Sequence, residues 1–247
     1  MSWCAATPSG VPRATVVLVH GSDRDPVGMI SAFRDWSERR GLALLAPLFV
    51  GNIRGDGEIN GYKTLFGDGV RYDRILLDML EEAAEVLPLR PTPVLLFGFS
   101  GGAQFAHRFA LAHPGSIAAL SIAAPGNVTL IGSGHEWWPG VTNMEQVLGS
   151  SLDLDALRRV PVHAVVGDDD DGATAIHVDP GEPRWVDGAN DAGASRGERL
   201  LSLVNDWDAA GITVHHETLD GVSHELGPLA RAAQDFFDGV LGRGDES

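Results

Sequence analysis

Val94-Leu95-Leu96-Phe97-Gly98-Phe99-Ser100-Gly101-Gly102-Ala103 is an apolar run that closes on Gly-x-Ser-x-Gly, and Gln104 to Ala112 then continue in helical spacing. The pattern reads as a buried strand, a tight turn and a helix, the context of a nucleophile elbow. Small residues at Gly98 and Gly102 let the flanking backbones approach closely, and the turn pushes the Ser100 hydroxyl out of the sheet. The helix N-terminus aims N–H groups at negative charge forming beside it. Ser100 is therefore the candidate acyl-transfer nucleophile. The pentapeptide alone carries little weight in a chain with 31 glycines. The break at Pro91-Thr92-Pro93, the strand-length run and the helix give it its meaning.

Outward from the elbow, strands and helices alternate. Strands are expected at 15–19, 42–46, 117–122, 162–166 and 212–219, and helices at 27–40, 70–87, 196–209 and 226–241. Strands separated by helix-length segments need crossover connections, which predicts an α/β fold with a mainly parallel sheet and helices on both faces. Across 247 residues neither a repeat nor a low-complexity linker divides the chain, so one domain spanning 1–247 is expected.

A formal charge of -16 argues against nucleic acid or an anionic membrane as partner. No stretch approaches the roughly 18 apolar residues of a membrane span, and residues 1–10 lack the basic and apolar regions of a signal peptide. Cys4 is the single cysteine, which excludes an internal disulfide and makes a cytoplasmic location the expectation. The acidic run 168–171 lacks the alternating ligand spacing of a calcium loop, so no metal site is expected there.

Ligands of parallel sheets bind at the carboxyl ends of the strands, and that rule selects the remaining candidates. The first parallel strand ends in His20-Gly21-Ser22, a glycine turn that can present the Ser22 N–H beside that of Gly101 as a two-donor oxyanion hole. His20 is expected to brace this turn. Of the nine histidines, His224 follows the last strand in Asp220-Gly221-Val222-Ser223-His224-Glu225 and returns to the carboxyl edge. A histidine there can take the Ser100 proton and deliver it to a leaving group. Gly167 opens into four aspartates, Asp168 to Asp171. Asp170, three residues beyond the turn glycine, is favoured as the acid that orients His224, and Asp171 is the next choice.

With His20-Gly21-Ser22, Gly98-Phe99-Ser100-Gly101-Gly102, Asp170 and Gly221-Val222-Ser223-His224 in this order, residues 15–240 resemble the α/β-hydrolase superfamily. Its compact esterases and its depolymerase-like and dienelactone-hydrolase-like enzymes are nearest in outline. The resemblance implies Ser-His-Asp chemistry without a cofactor. Only 14 residues precede the first clear strand, so the antiparallel strands that open this fold are expected to be shortened or absent, leaving about six strands.

Substrate contacts must come from loops on the catalytic edge. Segment 127–159, with Trp137 and Trp138, is long enough for a small partial cap, and segment 51–69 carries Tyr62 and Phe66. These four aromatic residues are the candidate substrate contacts, against the alternative that they pack the loops onto the domain. The resulting expectation is a serine hydrolase of a small carboxylic ester, with an amide or lactone as lesser choices. Acyl transfer, addition-elimination on the same residues, or a ligand-binding receptor that kept the pocket are the alternatives. The intact Ser-His-Asp set argues against the receptor.

Overall fold

The structure is a computed structural model that describes residues 1–244 apart from 56, 68, 171 and 173–175. Its main sheet has seven strands: β1 (Ser2–Ala6), β2 (Ala14–Val19), β3 (Leu42–Leu48), β6 (Val94–Phe99), β7 (Ile117–Ala123), β8 (Val162–Gly167) and β9 (Val214–Leu219). Two short strands, β4 (Phe66–Gly67) and β5 (Val70–Arg71), pair separately. The helices are α1 (Pro26–Arg40), α2 (Tyr72–Val86), α3 (Gly101–Ala112), α4 (Met144–Leu148), α5 (Leu154–Leu157), α6 (Arg196–Ala209) and α7 (Leu226–Gly244).

The sheet runs β1-β3-β2-β6-β7-β8-β9, and every pair is parallel except β1 with β3. It therefore has one strand more than the sequence pattern predicts. Ser-Trp-Cys-Ala-Ala lies on an edge, half-buried, and shows no alternation that would mark it as a strand. Pro47, just past the expected strand 42–46, lies inside β3 opposite Trp3. The ladder to β2 stops at Leu45, so the missing proline N–H costs no bond on that side.

Chain order reverses at β2. The β2-α1-β3 crossover runs one way along the sheet and β3-α2-β6 the other, so right-handed connections put α1 and α2 on opposite faces. α7 packs against α1, where the Trp36 indole and Arg40 both donate to Asp238. Covered on both sides, Val16 to Val19 and Leu96 to Phe97 are fully buried. Asp25 caps α1 through the Gly28 N–H, and Gly41, at φ +66, ends it. β9 begins at Val214 rather than 212 because the Ile212 N–H is taken by the Trp207 carbonyl at the end of α6. Among the described residues, no helix is long and apolar enough to cross a membrane.

A buried ionic clamp joins α2 to α3. Asp73, in the first turn of α2, accepts from Arg71 at 2.8 and 2.6 Å and from His113, just past α3, at 2.7 Å. Burial alone would raise this carboxyl, but the hydrogen bonds from His113 and Arg71 and the charges of both residues hold it at about 2. A depressed carboxylate stabilises the fold above its ordinary value and loses that contribution as pH falls through its folded value. Asp73→Asn should therefore cost about 2 kcal/mol at neutral pH, and urea midpoints of the two proteins should converge towards pH 2. A gap independent of pH would show that the clamp acts by shape alone.

Candidate active site

Ser100 sits between β6 and α3 at φ +55 and ψ -112, a left-handed conformation that a side-chain-bearing residue adopts only when its surroundings force it. The forcing contacts are backbone to backbone. A Cβ on Gly102 would collide with the Val19 carbonyl at the end of β2, and one on Gly98 with the Gly102 carbonyl. Both glycines of the motif are thus required by close approach. Gly21, at the end of the neighbouring strand, lies against Ser100: a Cβ there would make ordinary contact with the serine Cβ, at 3.5 Å.

The His20 ring holds that neighbouring turn as expected. One nitrogen donates to the Gly21 carbonyl (2.7 Å) and the other accepts the Phe49 N–H (3.1 Å), while burial lowers its pKa and keeps it neutral. The turn brings Ser22 beside Gly101, whose Cβ position lies 3.3 Å from Ser22 Oγ. Gly101 is the first residue of α3, so its N–H has no partner within the helix.

Two loops from the far side of the switch point supply the rest. Asp168 accepts from the Gly221 N–H at 2.6 Å, and the Asp169 N–H donates to the Val222 carbonyl at 3.1 Å. The loops after β8 and β9 are thereby sewn together. With Asp168 used in that seam, it is Asp170 that turns inward and is buried. Its Oδ2 accepts from His224 Nδ1 at 2.7 Å, and His224 Nε2 faces Ser100 Oγ at 2.9 Å. The imidazole also stacks on Phe99, with ring centroids 4.8 Å apart. A carboxylate on one ring nitrogen leaves the other free to accept a hydroxyl proton. Asp171, the second choice for the acid, lies outside the described residues. His107 and His163, two of the competing histidines, are buried in the fold away from this chain of bonds.

The sequence reading missed one member. Arg196 Nη1 donates to Asp170 Oδ1 at 2.7 Å, so the carboxylate is held from both sides. Burial would raise Asp170, yet the hydrogen bond and charge of His224 and then the Arg196 guanidinium hold it below its ordinary range. The signal lay in Ser195-Arg196-Gly197-Glu198, a capping box that fixes Arg196 as the first residue of α6.

Next to the elbow lies a cavity of about 520 Å³. Phe66, Trp137 and Trp138, three of the candidate substrate contacts, line it. The two indole N–H groups donate to the carbonyls of Thr64 and Arg184, both at 2.9 Å, so the same residues also tie the loops down. Tyr62 is placed differently. It is buried beneath the turn, its hydroxyl donates to the Gly21 carbonyl at 3.0 Å, and that oxygen abuts Gly101. Lys63, Gln104 and Arg184, which no local pattern singles out, also line the cavity. The expected cap segment 127–159 contains only the short helices α4 and α5.

Sheet order, the switch point at β2 and β6, and the turn at Ser100 are those of the α/β-hydrolase fold, and the chain has that fold. Similar solved structures include a poly(3-hydroxybutyrate) depolymerase from Bordetella parapertussis, at 23% identity and a TM-score of 0.76 over 96% of this chain and 83% of that one. An S-formylglutathione hydrolase from Agrobacterium tumefaciens has 16% identity and a TM-score of 0.63 over 98% and 89% of the two chains. Fluorophosphonate-binding serine hydrolase F of Staphylococcus aureus has 13% identity and a TM-score of 0.63 over 97% and 91%. At such identities the likeness defines the fold alone. No family model matches the sequence, and no curated protein does.

If the guanidinium holds Asp170 down, Arg196→Met should raise its titration towards the ordinary carboxylate range, observable by ¹³C NMR of the side-chain carboxyl. An unchanged Asp170 titration would reduce Arg196 to a packing role.

Proposed function

We propose that this protein is a serine hydrolase that cleaves a small carboxylic ester through an acyl-enzyme. The observation that carries the reading is the continuous chain Asp170–His224–Ser100, with bonds of 2.7 and 2.9 Å ending on a strained serine at the switch point of the sheet. Ser100 Oγ attacks the ester carbonyl while His224 Nε2 takes its proton. Asp170 holds the imidazole with Nδ1–H towards itself, and Arg196 keeps Asp170 ionised.

The N–H groups of Ser22 and Gly101 receive the negative charge that develops on the carbonyl oxygen, where fixed donors are worth most. His224 then passes the proton to the departing alcohol, and water, deprotonated by the same nitrogen, releases the acid. No cofactor enters this sequence. The depolymerase and hydrolases that share the fold support the class of reaction. Amides and lactones would follow the same path and are lesser choices, because the leaving amine of an amide is harder to expel.

A fluorophosphonate probe should label Ser100, and Ser100→Ala should abolish labelling and lower kcat on p-nitrophenyl esters by about 10⁴ to 10⁶ while the melting temperature holds. Asp170→Asn should be the most damaging of the changes at Asp168, Asp169 and Asp170, by about 10⁴ in kcat, since the histidine then adopts the wrong tautomer. Labelling of another serine, or full turnover in the alanine variant, would overturn the mechanism. Equal tolerance at all three aspartates would place the acid elsewhere.

A further inference from the structure

We propose that the cavity beside the elbow is a carboxylate-binding site, and that the ester cleaved at Ser100 bears a carboxylate held by the Lys63 ammonium. The proposal rests on the hydrolase reading and narrows its substrate class. The cavity adjoins the reacting centre. Gln104, in the first turn of α3, lines it, and Lys63 Cε lies 3.0 Å from the Cβ position of Gly101.

Lys63 is 8% exposed, yet among the described residues no side chain or carbonyl accepts a hydrogen bond from its ammonium. The stem is largely buried while the nitrogen itself keeps some exposure, and an anion in the cavity would give that ammonium a partner. Burial, then Arg184 and Arg24, draw this amine down to about 8, with Glu58 acting in the opposite direction.

Two of the surrounding cations also have no carboxylate among their hydrogen-bond partners. Arg24 donates to the carbonyls of Phe49 and Ser22, at 3.0 and 3.1 Å. Arg108, fully buried, donates to Thr129 Oγ1, the Lys63 carbonyl and the Gln104 carbonyl, and its Nη2 has no partner among the described residues. All these acceptors are uncharged. Arg184, on the cavity wall, is paired with Glu182 at 2.8 Å, and Glu58 also lines the wall. Counted with Arg24 and Arg108, four cations stand against Glu58 and Glu182 around the cavity.

The ligand's size and charge follow from the same contacts. Arg184 is already engaged and Glu58 opposes a dianion, so one unpaired ammonium matches one carboxylate better than a phosphate. Trp137 and Trp138 have spent their N–H groups on backbone carbonyls and offer only ring faces, which suit a short hydrocarbon spacer between the carboxylate and the scissile carbonyl.

Ester hydrolysis followed by pH-stat gives the test. Monoethyl glutarate is compared with ethyl pentanoate, its methyl-for-carboxylate analogue, and O-butanoylglycolate with ethyl butanoate, which places the carboxylate on the alcohol half. In one of the two pairs, kcat/KM should favour the acid by about ten- to a hundredfold, and Lys63→Met should erase that ratio. Preference for both neutral esters, or a ratio indifferent to Lys63→Met, would overturn the proposal.

Because the variant can fail to fold, the unaltered protein is also tested for inhibition of ethyl butanoate hydrolysis. Glutarate should inhibit more strongly than pentanamide or inorganic phosphate, and stronger inhibition by phosphate would overturn the assignment to carboxylate. Calorimetric titration of Ser100→Ala protein with glutarate separates the two readings. Binding without any ester turnover in the unaltered protein refutes the hydrolase and keeps the site, whereas turnover of neutral esters without binding refutes the site and keeps the hydrolase.

Discussion

The contact on which the rest of this structure depends is the approach of Gly102 to the Val19 carbonyl, where the start of α3 meets the end of β2 with no room for a single methyl group. That approach fixes the turn between β6 and α3 and forces Ser100 to φ +55. It also brings the Gly21-Ser22 turn against Gly101. One steric constraint thereby sets the serine, the closeness of Ser22 to Gly101, and one side of the neighbouring cavity. Strain of this kind costs of order 1–3 kcal/mol, and a sheet whose central strands are wholly buried can sustain it.

The second half of the site obeys a different logic. His224 and Asp170 lie on irregular loops, which sheet packing does not hold. Hydrogen bonds hold them instead: Asp168 to the Gly221 N–H, the Asp169 N–H to Val222, and Arg196 to Asp170. Gly167 permits the seam, since a Cβ there would strike the Val222 carbonyl. The four consecutive acids are therefore not interchangeable. Asp168 is spent on the loop and Asp170 on the histidine, a division that backbone direction imposes and composition does not reveal.

This contrast explains what was legible in the sequence. The parallel strands were, because each is an apolar run bounded by a glycine, proline or helix pattern. Ser100, His224 and Asp170 were, because strand ends and chain order point to them. β1 was not, since an edge strand of five half-buried residues has no periodicity to read. Tyr62 and Lys63 were misjudged or passed over for a common reason. Both lie in segment 51–69, whose path over the sheet is set by contacts with Gly21, Gly101 and Trp137 from elsewhere in the chain. No local pattern tells a lysine in such a loop whether it will face water or a cavity. Arg196 was half legible, its place given by a capping box and its partner only by the fold.

The loops over the carboxyl edge also account for the positive charge gathered there. Irregular over much of their length, these loops have carbonyls that need donors, and arginine offers five in a rigid fork. Arg199 takes the carbonyls of Gly126, Ile176 and Gly193, Arg108 those of Lys63 and Gln104, and Arg24 those of Ser22 and Phe49. Neutral acceptors satisfy the N–H groups but leave the charge standing, and burial pulls Arg108 down to about 9 and Arg199 to about 10. In the bonds named, these three guanidiniums meet carbonyls and no carboxylate. The scaffolding that gives the loops their shape thus also places cations at the edge of the sheet where the candidate site lies.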